Sequence, residues 1–249
     1  MEPPGATPIK SVTETDRILI DELLMLEQAM ERNYQWVYDL IAPFLGRSLL
    51  EVGSGVGVLS RYLVEHGAPI VLSDHHASYL SYLRSRFEGR PNVSFQVLDL
   101  NDEVYDLGGR TIDTVVCLNV LEHIEDDQSV LCRFARLLPP RGRLVLQIPN
   151  YPALFGSLDE TYGHFRRYTR AIISQRLVAA GFSVQAIRNF NPLAVLGWLL
   201  FGRLLRAPRF NVRSARFFNA IVPVVRRLEF LSRWGGLALI VCAERTASR

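Results

Sequence analysis

Short apolar runs alternate with helical stretches along most of this chain, and that alternation constrains the fold more than any other feature. Five such runs lie between residues 48 and 148, and they read SLLEV, PIVLS, VSFQVL, IDTVVCLN and GRLVLQI. A strand that is apolar on both faces must be covered on both, as parallel strands are in α/β layer folds. Two later runs, FSVQAIRNF and GLALIVCAE, predict the last strands, so the sequence predicts a doubly wound, mostly parallel, seven-stranded α/β sheet.

The segments around these strands predict the domain organisation. Residues 1–11 contain four Pro or Gly residues and are expected to be disordered, which leaves residues 12–249 as a single domain. Leu, Ile and Met recur at helical spacing over Ser11–Leu45, which predicts one or two N-terminal amphipathic helices. Residues 149–170 follow the fifth strand and are predicted to form an active-site loop. Residues 191–234 separate the last two strands and are far too long for a hairpin loop, so we expect an inserted helical cap.

Composition narrows the class of protein and its compartment. The chain is 49% hydrophobic and 21% charged, which excludes a disordered or fibrous protein. Its cysteines are odd in number and widely spaced, which favours reduced core thiols; they are Cys117, Cys132 and Cys242. The first residues also lack the charged-then-apolar order of a signal peptide. We therefore expect a cytoplasmic protein.

Positive charge is concentrated in the predicted cap. The whole chain has a net charge of +3, yet residues 191–234 hold eight arginines and a single acid, Glu229. The longest uncharged stretch there spans residues 189–202, which is shorter than the ~20 residues that a membrane-spanning helix needs. Two interpretations remain open: a purely structural lid, or a lid that also contacts a membrane or a lipid-linked acceptor at the periphery.

The most informative local motif is LLEVGSGVGVL over residues 49–59. A buried strand runs directly into Gly53, Gly55 and Gly57, and a helix follows. Glycine permits positive φ and lets a ligand approach the main chain at the helix N-terminus. The dinucleotide-binding spacing would require glycine where Val58 stands, which argues against a dehydrogenase.

With an acid two residues before the first glycine, this stretch resembles the first motif of the class I S-adenosylmethionine-dependent methyltransferases, whose sheet is Rossmann-like. Asp74 and Asp99 end the second and third predicted strands, where that family keeps its two cofactor acids. The runs NYQW and LDETYGHFRRYTR further resemble a bacterial small-molecule subgroup of the family, and this resemblance covers most of the chain from Asn33 onward.

The resemblance implies S-adenosyl-L-methionine as cofactor and assigns residues to it. Asp74 would accept hydrogen bonds from the ribose hydroxyls and Asp99 from the adenine amine, since ionised carboxylates only accept. His75 would lie near the adenine. The implied cofactor-binding residues are Tyr34, Trp36, Glu51, Gly53, Ser54, Gly55, Asp74, His75, Asp99, Leu100, Asn119 and Val120. A strand-terminal Asp that serves only as a helix N-cap is the structural alternative for either acid.

Methyl transfer requires an aligned acceptor and the exclusion of water, with a base where the acceptor is a hydroxyl or an acidic carbon. His164 and His123 are the catalytic candidates, because they lie in segments expected to face the site. The candidates for substrate binding lie around His164; they are Tyr162, Arg166, Arg167 and Tyr168. A loop histidine bonded to the backbone and a solvated arginine are the structural alternatives.

A metal is not expected. Glu122 and His123 are similar to the E-x-x-E-H motif with which ubiquinone-pathway O-methyltransferases hold a divalent cation. Asn119 stands where that motif has its first acid. Without this ligand, Glu122 and His123 are expected to open a helix.

The leading hypothesis is methyl transfer to a small-molecule or lipid-like acceptor, most plausibly at oxygen. Carbon methylation of an isoprenoid or polyketide-like intermediate and a catalytically silent partner subunit are the alternatives. Nucleic acid is not expected as a partner, because the fourth strand ends in Leu-Asn-Val-Leu and lacks the Pro-Pro motif of the amino-directed nucleic-acid enzymes.

Overall fold

The computed structural model describes residues 14–206 and 212–247, and its centre is a sheet of seven strands in the order β3-β2-β1-β4-β5-β7-β6. The strands are β1 (Leu49–Val52), β2 (Ile70–Asp74), β3 (Val93–Val97), β4 (Thr114–Leu118), β5 (Arg143–Pro149), β6 (Phe182–Phe190) and β7 (Ala238–Arg245). The first five strands are parallel, whereas β7 runs antiparallel to both β5 and β6. The predicted doubly wound, mostly parallel sheet is confirmed.

Apolar side chains of the central strands pack alternately on the two faces of the sheet. On β4, Val115 and Cys117 belong to one hydrophobic cluster, and Val116 belongs to the other. Every residue of β1 and β2 is buried, whereas β3 at the sheet edge is only partly covered. Two-sided burial explains why these strands read as continuous apolar runs in the sequence.

Nine helices lie among the described residues. They are α1 (Glu14–Gln28), α2 (Glu31–Ile41), α3 (Ser60–Glu65), α4 (Ala77–Arg86), α5 (Asp127–Leu137), α6 (Ser157–Thr161), α7 (Arg170–Ala179), α8 (Ala194–Trp198) and α9 (Val212–Arg227). Side chains cap two of them, since Asp126 accepts a hydrogen bond from the backbone N of Ser129 on α5, and Thr169 accepts one from Ile172 on α7. Leu23 and Leu24 of α1 pack with Val56 and Val58, so the N-terminal helix covers the segment after β1.

The described parts of the segment between β6 and β7 are mostly helical. Helix α8 continues as a π-helix over Leu199–Leu204, and α9 is followed by a 3₁₀ helix over Glu229–Arg233. Residues 207–211 lie outside the described part of the chain, as do residues 1–11, for which the sequence predicts disorder. None of the helices described is long and apolar enough to cross a bilayer.

This segment leaves the sheet and returns to it at neighbouring positions. The backbone N of Leu237 donates to the carbonyl of Asn191 (3.2 Å), directly beyond the paired ends of β6 and β7. Asn191 has a φ of +59°, and its side-chain oxygen accepts from the N of Ala194 (3.2 Å), the first residue of α8. The sheet therefore closes beneath residues 191–236 much as it would beneath a short hairpin.

Candidate active site

The loop between β1 and α3 forms an open cradle. Gly53 has a φ of +71°, and a Cβ there would lie 2.4 Å from the side chain of Val120, so the residue must be glycine for both reasons. Gly55 has a φ of +53°, but a Cβ there would meet nothing within 4 Å. The loop thus packs against Val120 on one side and leaves the main chain at Gly55 accessible to a ligand.

A cavity of about 300 Å³ lies over this loop. It gathers six of the residues assigned to the cofactor; they are Tyr34, Glu51, Gly53, Ser54, Gly55 and Asn119. Leu23 and Val37 of the N-terminal helices also line it, together with Leu118 and Gln147 from β4 and β5. A larger groove of about 680 Å³, lined among others by Arg136 and Arg245, contains none of the predicted site residues.

Asp74 ends β2 and fixes the shape of the glycine loop. Its carboxylate accepts hydrogen bonds from the backbone N of Gly55 (3.0 Å) and of His76 (2.9 Å). Burial of Asp74 opposes ionisation, but hydrogen bonds from His75, His76 and Gly55 outweigh it and lower the pKa of the carboxyl. Asp74 is therefore an ionised acceptor held against the cradle.

The second predicted acid lies next to the first. The backbone N of Leu98 donates to the carbonyl of Asp74 (3.1 Å), which brings the ends of β2 and β3 together. His75 contacts Asp74 (3.3 Å), and its pKa is raised by this hydrogen bond, with smaller contributions from the charges of Asp74 and Asp99. Asp99 itself is half-buried and accepts from the backbone and side-chain N of Asn101 (2.8 and 2.9 Å). Asp74, His75 and Asp99 thus lie close together at the carboxyl ends of β2 and β3.

Glu51 lies beneath the glycine loop. It is 4% exposed and accepts a hydrogen bond from the hydroxyl of Ser60 (2.5 Å). Burial raises the pKa of Glu51 to about 7, against the lowering effect of hydrogen bonds from Ser60 and Ser54. A cationic ligand in the cavity would favour the ionised form of this carboxyl.

Gln147 is a cavity residue that sequence reasoning missed. Its side-chain amide donates to the side-chain oxygen of Asn119 (3.1 Å), and its backbone carbonyl accepts from the N of Asn119 (2.8 Å). These bonds hold Asn119 at a φ of +55°. The Oε1 of Gln147 is buried and has no partner among the described residues, so it fits a donor group of a ligand. The only signal in the sequence was one polar residue within the apolar run LVLQI.

Two assignments need correction and one is modified. Trp36 is 1% exposed and packs against Phe190 (ring centroids 4.6 Å apart), away from the cavity lining. The side chain of Leu100 is in the core, and its carbonyl accepts from Tyr105 (3.0 Å) and Arg133 (2.6 Å). The side chains of both residues pack in the hydrophobic core. Val120 contributes its side chain to the fold, where it packs beside Gly53.

The predicted active-site loop is organised around Asp159, a fully buried carboxylate that sequence reasoning did not single out. Asp159 accepts hydrogen bonds from His164 Nδ1 (2.8 Å), Arg167 Nε (2.8 Å) and Trp198 Nε1 (3.2 Å). Burial opposes its ionisation, but the bonds from His164 and Arg167 outweigh this and lower the pKa of Asp159. One carboxylate therefore ties the loop to α8.

A second buried carboxylate, Asp127, holds the rest of the loop. It accepts from the hydroxyl of Tyr168 (2.7 Å), pairs with Arg166 (2.9 Å) and contacts Arg176 of α7. The predicted substrate contacts of Tyr168 and Arg167 are corrected by these findings, because Tyr168 is fully buried and Arg167 is 4% exposed in its pair with Asp159. Arg166 is likewise engaged, and Tyr162 remains the exposed member of the predicted set (39%).

The two catalytic candidates meet beyond the ends of β4 and β5. The rings of His123 and His164 stand edge to face, with centroids 4.8 Å apart. Burial, followed by the neighbouring His164, lowers the pKa of His123, so its ring is neutral. Glu122 beside it is 1% exposed, and burial raises the pKa of that carboxyl to about 8.

Glu122, His123 and His164 are also the one group within the described residues whose composition suits a metal, with ligand atoms within 4.8 Å of one another. The Oε2 of Glu122 has no hydrogen-bond partner there. Asp159 already occupies Nδ1 of His164, which leaves one nitrogen on that ring. The absence of a functional metal stays a prediction.

Comparisons with known proteins agree with this geometry. Residues 25–187 match the family described as "Methyltransferase domain". The ubiquinone biosynthesis O-methyltransferase of Coxiella burnetii is 30% identical over 106 residues, which cover 42% of this chain and 44% of the relative. The chain thus matches less than half the length of this curated relative.

Solved structures show the same fold. An S-adenosylmethionine-dependent methyltransferase from Mesorhizobium loti superposes with a TM-score of 0.60 at 15% identity, covering 84% of this chain and 97% of that one. A chain from the complex between the Trm112 methyltransferase activator and a methyltransferase of Haloferax volcanii gives 0.63 at 18% identity, covering 96% and 99%. With the sheet order, the glycine cradle and the family match over residues 25–187, the chain belongs to the class I S-adenosylmethionine-dependent methyltransferases.

Proposed function

We propose that this methyltransferase transfers a methyl group to a hydroxyl oxygen of a small, amphiphilic or lipid-like acceptor, with His164 as the general base. The observation that carries the proposal is the pair of His164 and the buried Asp159 beside it. The name of the Coxiella relative, an O-methyltransferase, supports oxygen as the acceptor atom. We take residues 12–249 as one domain in which the loop 149–170 and the cap 191–234 enclose the acceptor.

The residues around the cavity fit the cofactor. S-adenosylmethionine supplies, when bound, a methyl group on a sulfonium that is open to in-line displacement. Glu51 and the unpartnered Oε1 of Gln147 are acceptors that suit its ammonium group, and the open main chain at Gly55 suits its amino-acid part. Asp74 and Asp99 are acceptors that suit the ribose hydroxyls and the adenine amine.

The hydrogen bond to Asp159 sets the tautomer of His164. An ionised carboxylate can only accept, so Nδ1 of His164 carries the proton. The other ring nitrogen, Nε2, is then an acceptor and can take a proton from a hydroxyl. The side chain of His164 is 10% exposed, which limits competition by water. His123 remains neutral beside it and does not repel the imidazolium that forms.

The test is turnover with labelled S-adenosylmethionine on a panel of phenolic, isoprenoid and fatty hydroxyl compounds. With the acceptor found, His164→Ala should lower kcat by about 100- to 10,000-fold, the usual worth of a general base. The affinity for S-adenosylhomocysteine should be unchanged.

His66→Ala is the matched control, because His66 is exposed and, within the described residues, its ring is hydrogen-bonded only to the hydroxyl of Tyr38 (3.2 Å). Nearly full kcat in His164→Ala would assign that histidine to structure. Methylation at carbon would support the isoprenoid or polyketide-like alternative, and cofactor binding without turnover of any acceptor would support a silent partner subunit. Because no metal is expected, EDTA should leave kcat unchanged.

A further inference from the structure

Exposed apolar side chains are concentrated in the segment between β6 and β7. Of the sixteen large hydrophobic residues that are exposed in the described chain, ten belong to it; they are Leu196, Leu199, Leu200, Phe201, Leu204, Leu205, Phe217, Val224, Phe230 and Trp234. Scattered exposed apolar residues are ordinary on protein surfaces, whereas a concentration of them marks an interaction site.

The first stripe lies on α8 and the π-helix that continues it. Leu196, Leu200 and Leu204 are spaced by four residues and are 67%, 44% and 67% exposed. The opposite side of this helix is held inward, since Trp198 bonds to Asp159 and Gly202 is buried against Leu158. The leucine stripe is therefore an outward face of a helix whose other face already has its partner.

The second stripe lies on α9. Its inner side is fixed by Ala215, Val222 and Val225, which are at most 2% exposed. Phe217 and Val224 are seven residues apart, which is two helical turns, and are 69% and 58% exposed. An ordinary surface helix carries polar and charged residues on its outward face, whereas α9 carries these large apolar residues there.

Arginines flank this second stripe. Arg213, Arg216 and Arg227 are exposed, and within the described residues none of them forms an ion pair. Arg226 differs, because it pairs with Asp39 (2.7 Å) and so anchors α9 to α2. Past the end of α9, the guanidinium of Arg233 lies 3.9 Å from the ring centre of Trp234, which is 67% exposed.

Apolar side chains interleaved with unpaired arginines and an exposed tryptophan have the chemistry of a surface that inserts into the headgroup region of an anionic bilayer. We propose that the outward faces of α8 with its π-helix and of α9 form a membrane-docking surface for anionic lipid. The purpose of this surface rests on the proposed function, because docking on the bilayer gives the cap direct access to a lipid-like acceptor. The binding itself needs no turnover.

Flotation with lipid vesicles tests the proposal on the full chain. The protein should float with vesicles of equimolar phosphatidylcholine and phosphatidylglycerol at low salt, and much less with phosphatidylcholine alone. Since each basic residue at an anionic surface strengthens binding by about fivefold, Arg213→Gln, Arg216→Gln and Arg227→Gln together should weaken it by about 100-fold. The combination Leu196→Ser, Leu200→Ser and Leu204→Ser should weaken binding by at least tenfold at any salt.

The matched control replaces three exposed arginines outside the cap, Arg47, Arg90 and Arg136, by Gln, and should bind as the parent does. Thermal denaturation verifies that each variant is folded. Equal binding by control and cap variants, or no binding to anionic vesicles, would overturn the proposal. Ultracentrifugation without lipid gives a further test. A dimer that the serine substitutions dissociate would also overturn the proposal, because a second copy of the chain would then cover the leucine stripe. Vesicle binding without methylation of any acceptor would refute the proposed function and leave this surface standing.

Discussion

Two buried carboxylates, Asp74 and Asp159, organise the two halves of the site in different ways. Asp74 accepts from backbone N–H groups of Gly55 and His76, so it depends on the path of the main chain at two strand ends. Asp159 accepts from side chains of three residues that lie in the loop and on α8. Apart from the ring of His75, the partners of Asp74 in the cofactor half belong to the main chain, whereas Asp159 in the proposed acceptor half is held by three side chains and the backbone N of Gly156. Substitutions should therefore affect the acceptor half more strongly.

The largest expected effect is that of Asp159→Asn. The change leaves Arg167, which is 4% exposed, without its counter-ion. Breaking a buried pair in this way costs about 3–5 kcal/mol of the free energy of unfolding, which urea denaturation measures. Asp126→Asn is the control, because Asp126 is an exposed helix cap and Asn caps nearly as well. Equal stability of the two variants would remove the distinction drawn between the two halves.

Glu51 beneath the glycine loop and Asp159 in the loop of residues 149–170 should also respond to pH in opposite directions. Glu51 has a pKa raised from 4.5 to about 7, so its protonated form stabilises the fold at low pH, and this stability is lost as pH rises to about 7. The difference corresponds to about 3 kcal/mol. Asp159 has a lowered pKa, so its contribution is present at neutral pH and is lost on acidification.

Urea denaturation of the ligand-free protein from pH 4 to 8 measures the Glu51 contribution. Glu51→Gln should reduce the decline that the parent shows between about pH 4.5 and 7, and the rest of the decline comes from Glu122, whose pKa is raised to about 8. The exposed Glu65→Gln should leave the decline unchanged. A parent and a Glu51→Gln protein with parallel pH profiles would show that Glu51 is ionised in the fold, like Asp159.

Cofactor affinity provides the next comparison. Asp74→Ala removes a charged acceptor beside the cradle and should weaken S-adenosylhomocysteine binding by about 10- to 100-fold. Asp99→Ala should have a smaller effect, because Asp99 is only half-buried. Isothermal calorimetry gives both values, with the exposed Asp102→Ala as control. Unchanged affinity in both variants would show that these two acids serve only the fold.

The smallest expected effect concerns the bond between Trp198 and Asp159. Trp198→Phe keeps an aromatic ring near Arg167, whose guanidinium lies 4.6 Å from the present ring centre, and deletes one hydrogen-bond donor. A loss of about 1 kcal/mol in the free energy of unfolding is expected. Trp234→Phe, at an exposed position, should cost much less. If both changes cost the same, Asp159 does not need its donor from α8.

This contrast also explains what the sequence could predict. The seven strands and the place of Asp74 and Asp99 follow from local patterns, since each acid directly follows an apolar run. The partners of Asp159 lie up to 39 residues away, and no spacing rule connects them. The polar residues around His164 were therefore predicted to contact the substrate, although the polar groups of Arg167 and Tyr168 are hydrogen-bonded to buried carboxylates.

The assignment of Trp36 to the cofactor needed correction for a related reason. Tyr34, two residues earlier on α2, lines the cavity. Residues two apart on a helix lie on opposite sides of it, so the side chain of Trp36 turns away and packs against Phe190. Gln147 was missed because its polar group falls within an otherwise apolar strand.

Because the sheet closes beneath the cap through Asn191 and Leu237, the pairing of β6 with β7 does not depend on the length of the cap. Both ends of the segment are joined by a backbone hydrogen bond, so residues added between the contacts that hold the cap, such as Trp198 with Asp159 and Arg226 with Asp39, change only the entropy of a closed loop. Doubling a loop costs only about 0.6 kcal/mol. The cap can therefore be lengthened at such points without any change in the sheet beneath it. For the engineer, the same junction is a place to graft a new lid.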